Sequence, residues 1–264
     1  MKDAISLLVL TIVLLASVGC ANYKIIKFTG TNTSVSGEYK AHSDAEEITT
    51  MYRKAIDSVM NEQIGTTAHT LTKGNPEGRL GNFCSDAVFE QSLLWQKKNG
   101  MLEKVKLDFA LLNNGGLRVP LDSGRITIGN IYELMPFENE IVFVEISGKQ
   151  MNELMDYIHK RTTLSGRKSG VPVSKNFELQ LDTINQLNYC QINDQQFDAN
   201  QSYTIATSDY LANGGDQMAF FTNPIAITYT GIKIRDAFIE SIRELGRKGQ
   251  VVDAKLDGRI GYVR

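Results

Sequence analysis

Residues 106–118 read Lys106-Leu107-Asp108-Phe109-Ala110-Leu111-Leu112-Asn113-Asn114-Gly115-Gly116-Leu117-Arg118. A mainly apolar run closed by a polar turn with paired glycines is the pattern of a strand over about 106–112 that ends sharply. Upstream, Ile48, Tyr52, Ala55, Ile56, Val59 and Met60 recur at helical spacing behind the capping pattern Ser43 and Glu46, which predicts a helix over about 43–62. A short strand near 66–71, the turn-rich stretch Gly74 to Arg79 and a helix over about 81–98 follow. Downstream come a short strand and a helix start within 125–136, a strand over 141–146 and a helix over about 149–162. Residues 170–207 are β-rich with a hairpin at Asn193-Asp194, and a last helix spans about 230–246. Strands and helices alternate without long linkers, so the pattern predicts one mixed α/β domain over 20–264, with its core from about 40.

The first residues differ in kind. Lys2 precedes an apolar run from Ala4 to Ala16, and Ser17-Val18-Gly19-Cys20 follows. A basic start, a short apolar stretch and small residues before a break are the marks of a secretory signal over 1–19 that opens the chain. The run falls short of the roughly twenty apolar residues that a membrane span needs. Its ending resembles a bacterial lipobox with Ser17 in the usual place of leucine, which implies cleavage before Cys20 and lipidation there. The other reading is an ordinary secreted protein. Residues 23–40 alternate as an early strand or hairpin would. Cys84 and Cys190 remain, one in an expected helix and one in an expected strand, and are read as two free buried thiols, with a disulfide between them as the other reading.

A net charge of -2 gives no electrostatic basis for binding a nucleic-acid polymer. The three histidines, His42, His69 and His159, show no metal-ligand spacing, and no nucleophile elbow, HExxH pair or Walker loop occurs. No cofactor or metal is therefore expected in this chain, which has the parts to hold a substrate and not to cut it. Two segments carry those parts: Asn113 to Arg118, followed by Met135-Pro136-Phe137, and Tyr210-Leu211-Ala212-Asn213-Gly214-Gly215-Asp216. Glycines let backbone approach a ligand closely, an arginine forks onto phosphate, aromatic rings sandwich a flat ring, and an aspartate accepts from hydroxyls or ring nitrogens. Taken singly, each has a plainer reading as a turn, a core ring, a helix cap or a surface ion pair. Together they suit a nucleotide.

Arg79-Leu80-Gly81-Asn82, Asp86-Ala87, Asn113 to Arg118, Gly124-Arg125-Ile126-Thr127, Pro136-Phe137-Glu138-Asn139, Gly148-Lys149-Gln150, Tyr210 to Asp216 and the closing Gly258-Arg259-Ile260 resemble, in order and spacing, the C-terminal domain of the 5'-nucleotidase family. The resemblance spans residues 40–264 and implies a layered α/β sandwich of helices over β-sheets. It also implies that Phe137 and Tyr210, the latter where the family often has phenylalanine, wall the base. Arg118 would meet the phosphate, Asn113 and Asp216 would bond the nucleoside, and Gly115 and Gly116 would belong to the same substrate-binding site. Gly170, before Val171-Pro172, matches a backbone contact to the base. Arg79 is the nearest arginine to an additional family arginine, whose stretch is here Asn75-Pro76-Glu77. In that family the metals and the catalytic His–Asp pair sit on an N-terminal metallophosphatase-like domain. The expectation is thus a recognition half that binds a nucleotide or nucleoside and works with a metallophosphatase-domain protein carrying a divalent metal pair, anchored at a periplasmic or outer membrane surface. The rival is a nucleotide-binding lipoprotein without a catalytic partner.

Overall fold

A computed structural model describes residues 30–32, 42–163, 169–182, 184 and 187–263. The signal segment, Cys20 and most of the expected hairpin at 23–40 lie outside the described residues. The chain divides into two compact units, 1–49 and 50–264. Helix α1, Ser43–Met60, runs across that division, and none of its residues is buried. The larger unit continues with β1 Gln63–Thr67, α2 Arg79–Lys98, β2 Phe109–Ala110, β3 Gly124–Thr127, α3 Ile128–Leu134 and β4 Glu140–Ser147. Next come α4 Gly148–Thr163, β5 Phe177–Asp182, β6 Leu187–Ile192, β7 Gln195–Gln196 and β8 Ser202–Ser208. The four-residue α5 Asp209–Ala212, β9 Ala226–Lys233, α6 Ile234–Arg247 and β10 Ile260–Tyr262 complete it.

The described strands make a two-stranded β1-β3 pair and two four-stranded sheets, ordered β2-β8-β4-β9 and β10-β5-β6-β7. In the first large sheet β2 runs parallel to β8, while β4 is antiparallel to both β8 and β9. In the second, β10 is parallel to β5 and the other pairs are antiparallel. Strand β4 shows why helices and sheets stack in layers. Successive side chains point to opposite faces, so Ile141 and Phe143 enter a core with α2 and α6. Val142, Val144 and Ile146 enter a second core, shared with α4 and with β5 and β6. A strand covered on both faces reads as a nearly unbroken apolar run, as Ile141 to Ile146 does. Aromatic contacts mark both layers: Trp95 meets Phe143 edge-on at 5.6 Å between centroids, and Phe109 meets Phe177 at 4.6 Å. The layered α/β sandwich expected from the sequence is the fold observed.

Three elements differ from expectation. The 106–112 strand narrows to Phe109–Ala110: Leu111 N–H still bonds the Ala206 carbonyl of β8, but Leu112 N–H turns away to the Pro172 carbonyl. The last helix starts at Ile234, not near 230, since residues 226–233 pair with β4 as an edge strand. Gly231 there has φ 73, a left-handed conformation no helix continues through. The first strand lies at 63–67, while Leu71 bridges only to Leu121. The hairpin is where it was expected, with Asn193 and Asp194 both at positive φ, as a two-residue turn between β6 and β7 requires. Cys84 in α2 and Cys190 in β6 are free and buried. Burial pushes both thiols up, Cys190 to about 12, so neither forms a thiolate near neutral pH.

Candidate functional site

The two glycine segments meet in space. Asn113 to Arg118 leaves β2, and its turn is closed by the Gly116 N–H on the Asn113 carbonyl at 3.2 Å. Lys73 Nζ donates to the Leu117 carbonyl at 2.8 Å and Asn114 Nδ2 to the Gly170 carbonyl at 2.7 Å, which fix the turn from behind. Arg118 N–H reaches the Leu134 carbonyl at the end of α3. That helix starts on a capping box between Thr127 and Asn130 and delivers the chain to Met135, Pro136 and Phe137.

Tyr210 comes from the other side. It sits in α5, whose cap Ser208 accepts the Leu211 N–H. Beyond α5 the backbone doubles back: Gly214 has φ 86, and Asp216 and Gln217 have φ 51 and 68. Residue 215 has to be glycine, because a Cβ there would lie 2.5 Å from Cε1 and Cζ of the Tyr210 ring. The doubling back brings Asp216 to its own wall. Tyr210 Oη donates to Asp216 Oδ1 at 3.0 Å and accepts from the Asp216 N–H at 3.1 Å. Asn113 Nδ2 donates to Asp216 Oδ2 at 2.6 Å, joining the two segments across 103 positions. Tyr157, from the middle of α4, donates its hydroxyl to the Asp216 carbonyl at 2.9 Å. Burial raises that phenol above its ordinary range, which keeps it protonated as a donor.

Between these segments lies a cavity of about 330 Å³ lined by Asn113, Gly115, Gly116, Arg118, Phe137, Tyr210 and Asp216, with Leu112, Met135, Asn139, Ser208 and Ile234. Phe137 is 42% and Tyr210 46% exposed, more than core rings show. Arg118 is exposed, with Nη1 on the Gly115 carbonyl, and supplies the one cation among the described lining residues. Seven of the residues marked out in the sequence therefore share one cavity. The structure does not bring Arg79 or Gly170 to it: Arg79 opens α2, and Gly170 stands behind the 113–118 turn. A cavity of about 410 Å³ elsewhere is lined by Lys104, Lys106, Asp108, Glu145, Ser202 and Thr204 among others, and neither glycine segment reaches it. Among the described residues no group of three or more His, Cys, Asp or Glu is placed to hold a metal ion.

Residues 62–223, more than half of the chain, match the family described as the 5'-nucleotidase, C-terminal domain. The chain belongs to this family. Similar sequences include the trifunctional nucleotide phosphoesterase protein YfkN of Bacillus subtilis, 26% identical over 245 aligned positions that cover 83% of this chain and 15% of YfkN. Protein UshA of Yersinia enterocolitica is 28% identical over 59% of this chain and 28% of its own. Among solved structures, the 5'-nucleotidase precursor of Thermus thermophilus superposes with a TM-score of 0.66 at 23% identity, over 84% of this chain and 43% of that one. The NAD nucleotidase of Haemophilus influenzae gives 0.61 at 14% identity, over 84% and 41%. These two likenesses show the fold of the 5'-nucleotidase C-terminal domain. This chain spans less than half the length of each of these relatives.

Proposed function

We propose that this 5'-nucleotidase C-terminal domain is the recognition half of a 5'-nucleotidase-type phosphoester hydrolase, binding a nucleotide or nucleoside beside a separate metallophosphatase chain. The observation that carries it is the cavity in which two exposed aromatic rings, one arginine and a tethered carboxylate converge. In this reading the base lies between Phe137 and Tyr210, while Asp216 and Asn113 bond the nucleoside. Each Asp216 oxygen is taken by one protein donor and keeps capacity for a second. Arg118 meets the phosphate, so binding here orients the ester toward the partner. The described residues do not fit a two-metal centre, which this reading assigns to the partner chain. Purified residues 21–264 with 5'-AMP and divalent metals are expected to release no phosphate. Turnover at ordinary enzyme rates, about 1–1000 per second, by material free of other phosphatases would overturn the division of labour.

The same proposal holds the domain at a bacterial membrane, periplasmic or outer, through lipid on Cys20. Its support is the apolar run before Ser17-Val18-Gly19-Cys20. No described helix is long and apolar enough to cross a membrane. Cys20→Ser is expected to leave an uncleaved precursor or to release the protein from the membrane fraction. A mature-length variant still found with membranes would rule the anchor out.

A further inference from the structure

Asp209 does not line the cavity, yet the two aromatic walls are joined through it. Its Oδ1 accepts Asn139 Nδ2 at 2.8 Å, the Glu140 N–H at 3.3 Å and the Tyr210 N–H at 2.8 Å. Asn139 is two residues beyond Phe137, and Tyr210 adjoins Asp209 itself. One carboxylate oxygen therefore spans the loop that carries one ring and the helix that carries the other, 70 positions apart. Both elements need such a tie. The Phe137 loop connects α3 to β4, and α5 is a single turn that buries Leu211 and Ala212 in the core while Tyr210 stays exposed. Beyond the walls, the Tyr210 ring lies over Gly215 and is bonded to Asp216, so a shift of α5 would move both the ring and the carboxylate.

We infer that Asp209 is a positioning residue that sets the gap between Phe137 and Tyr210, and so the thickness of ligand they admit; this rests on the proposed reading of the cavity as a nucleoside site. A gap set by hydrogen bonds and not by ring-to-ring packing is held open before the ligand arrives, which lowers the ordering cost of binding. The function needs an acceptor at Oδ1, not a charge, so asparagine replaces aspartate and alanine does not.

The test uses the full chain with Asp209→Ala, Asp209→Asn, Asn139→Ala and the Asp209→Ala/Asn139→Ala pair. Calorimetry with adenosine and with 5'-AMP is combined with amide exchange over residues 137–141 and 209–213. Asp209→Ala is expected to weaken both ligands by the same factor, about tenfold, and to speed exchange at Glu140 and Tyr210. Asp209→Asn should stay within about twofold of the parent, and the double variant should lose no more than the worse single one, because one tie is removed in each. Unchanged exchange in Asp209→Ala would show that the tie does not hold the walls. Faster exchange with unchanged affinity would show a structural bond with no bearing on the ligand, and Asp209→Asn as weak as Asp209→Ala would show that charge and not position matters. Each of these overturns the inference. If the parent protein binds neither probe while exchange responds as expected, the nucleoside reading itself fails and the positioning role goes with it.

Discussion

Phe137→Ala and Tyr210→Ala are each expected to weaken adenosine binding by about fivefold to a hundredfold, since stacking a base on an aromatic ring is worth about 1–3 kcal/mol. The two losses should differ in kind. Phe137 contributes its ring from a loop, whereas Tyr210 also bonds Asp216 through its hydroxyl. Tyr210→Phe separates the two parts, because the ring stays and the hydrogen bond goes. It is expected to keep most of the stacking and to lose affinity only for ligands that reach Asp216. Arg118→Ala should spare adenosine and weaken 5'-AMP, because only the phosphate loses its charge-assisted contact. Calorimetry on this set reads out each part, provided the parent protein is titrated alongside. If the parent binds and both alanine variants bind as tightly, the two rings do not clamp the base and the ligand is held elsewhere.

Arg259→Ala is expected to destabilise the domain by about 1.5–3 kcal/mol, the range for hydrogen bonds to charged groups, since the side chains of Asp86 and Asp257 are 25% and 46% exposed. Arg259 is 5% exposed and forks onto both oxygens of Asp86 at 2.9 and 3.1 Å. Its Nε and Nη2 also meet Asp257 at 2.8 and 2.6 Å, and its Nη1 meets the Val173 carbonyl at 2.8 Å. Burial alone would lower its basicity, but Asp257 and Asp86 outweigh burial and hold the guanidinium charged. Burial would likewise raise the Asp257 carboxyl, and the bonds from Arg259 outweigh it and hold it below its ordinary range. That part of the stability is present above the ordinary carboxylate pKa of about 4 and is lost as the pH falls through the lowered value. Arg259→Lys should rescue little, as an ammonium cannot fork onto two carboxylates. Thermal and urea melts measure the loss; a change under about 1 kcal/mol would mean that water replaces the guanidinium and that the cluster is an ordinary surface network.

What the sequence made legible followed from the range of the forces involved. The strand at 141–146 and the helices at 79–98 and 148–163 were readable because their periodicity is local and strong. Strand 226–233 was not, since its pairing with β4 is a long-range choice and Thr230-Gly231 gives no clear period. Helix α1 shows the converse: its apolar spacing is helical, yet Ile48, Met51, Tyr52, Ile56 and Val59 are exposed. Periodicity marks a helix there without saying what covers it. At the site, Arg118, Phe137, Tyr210 and Asp216 stood beside glycine turns that set them apart. Tyr157 carried no such signal, being one aromatic residue within a helix. Asp209 and Asn139 were equally silent as a pair, because a hydrogen bond across 70 positions leaves no trace in spacing. Arg79 lies outside the cavity lining for the opposite reason, since adjacency to a motif does not place a residue in a cavity.

The parallel pairing of β10 with β5 has a consequence for how the domain is made. Ile260 lies beside Leu179, Leu179 N–H bonds the Arg259 carbonyl, and Val263 N–H bonds the Leu181 carbonyl. The same late stretch reaches further back, where Thr67 bridges to Val252. A nascent chain emerging from the ribosome would carry β5 with an open edge, and β1 without its late neighbour, until residues 252–263 had left the exit tunnel. Assembly thus waits on translation: the β10-β5-β6-β7 sheet gains its β10 edge only after residues 252–263 have emerged.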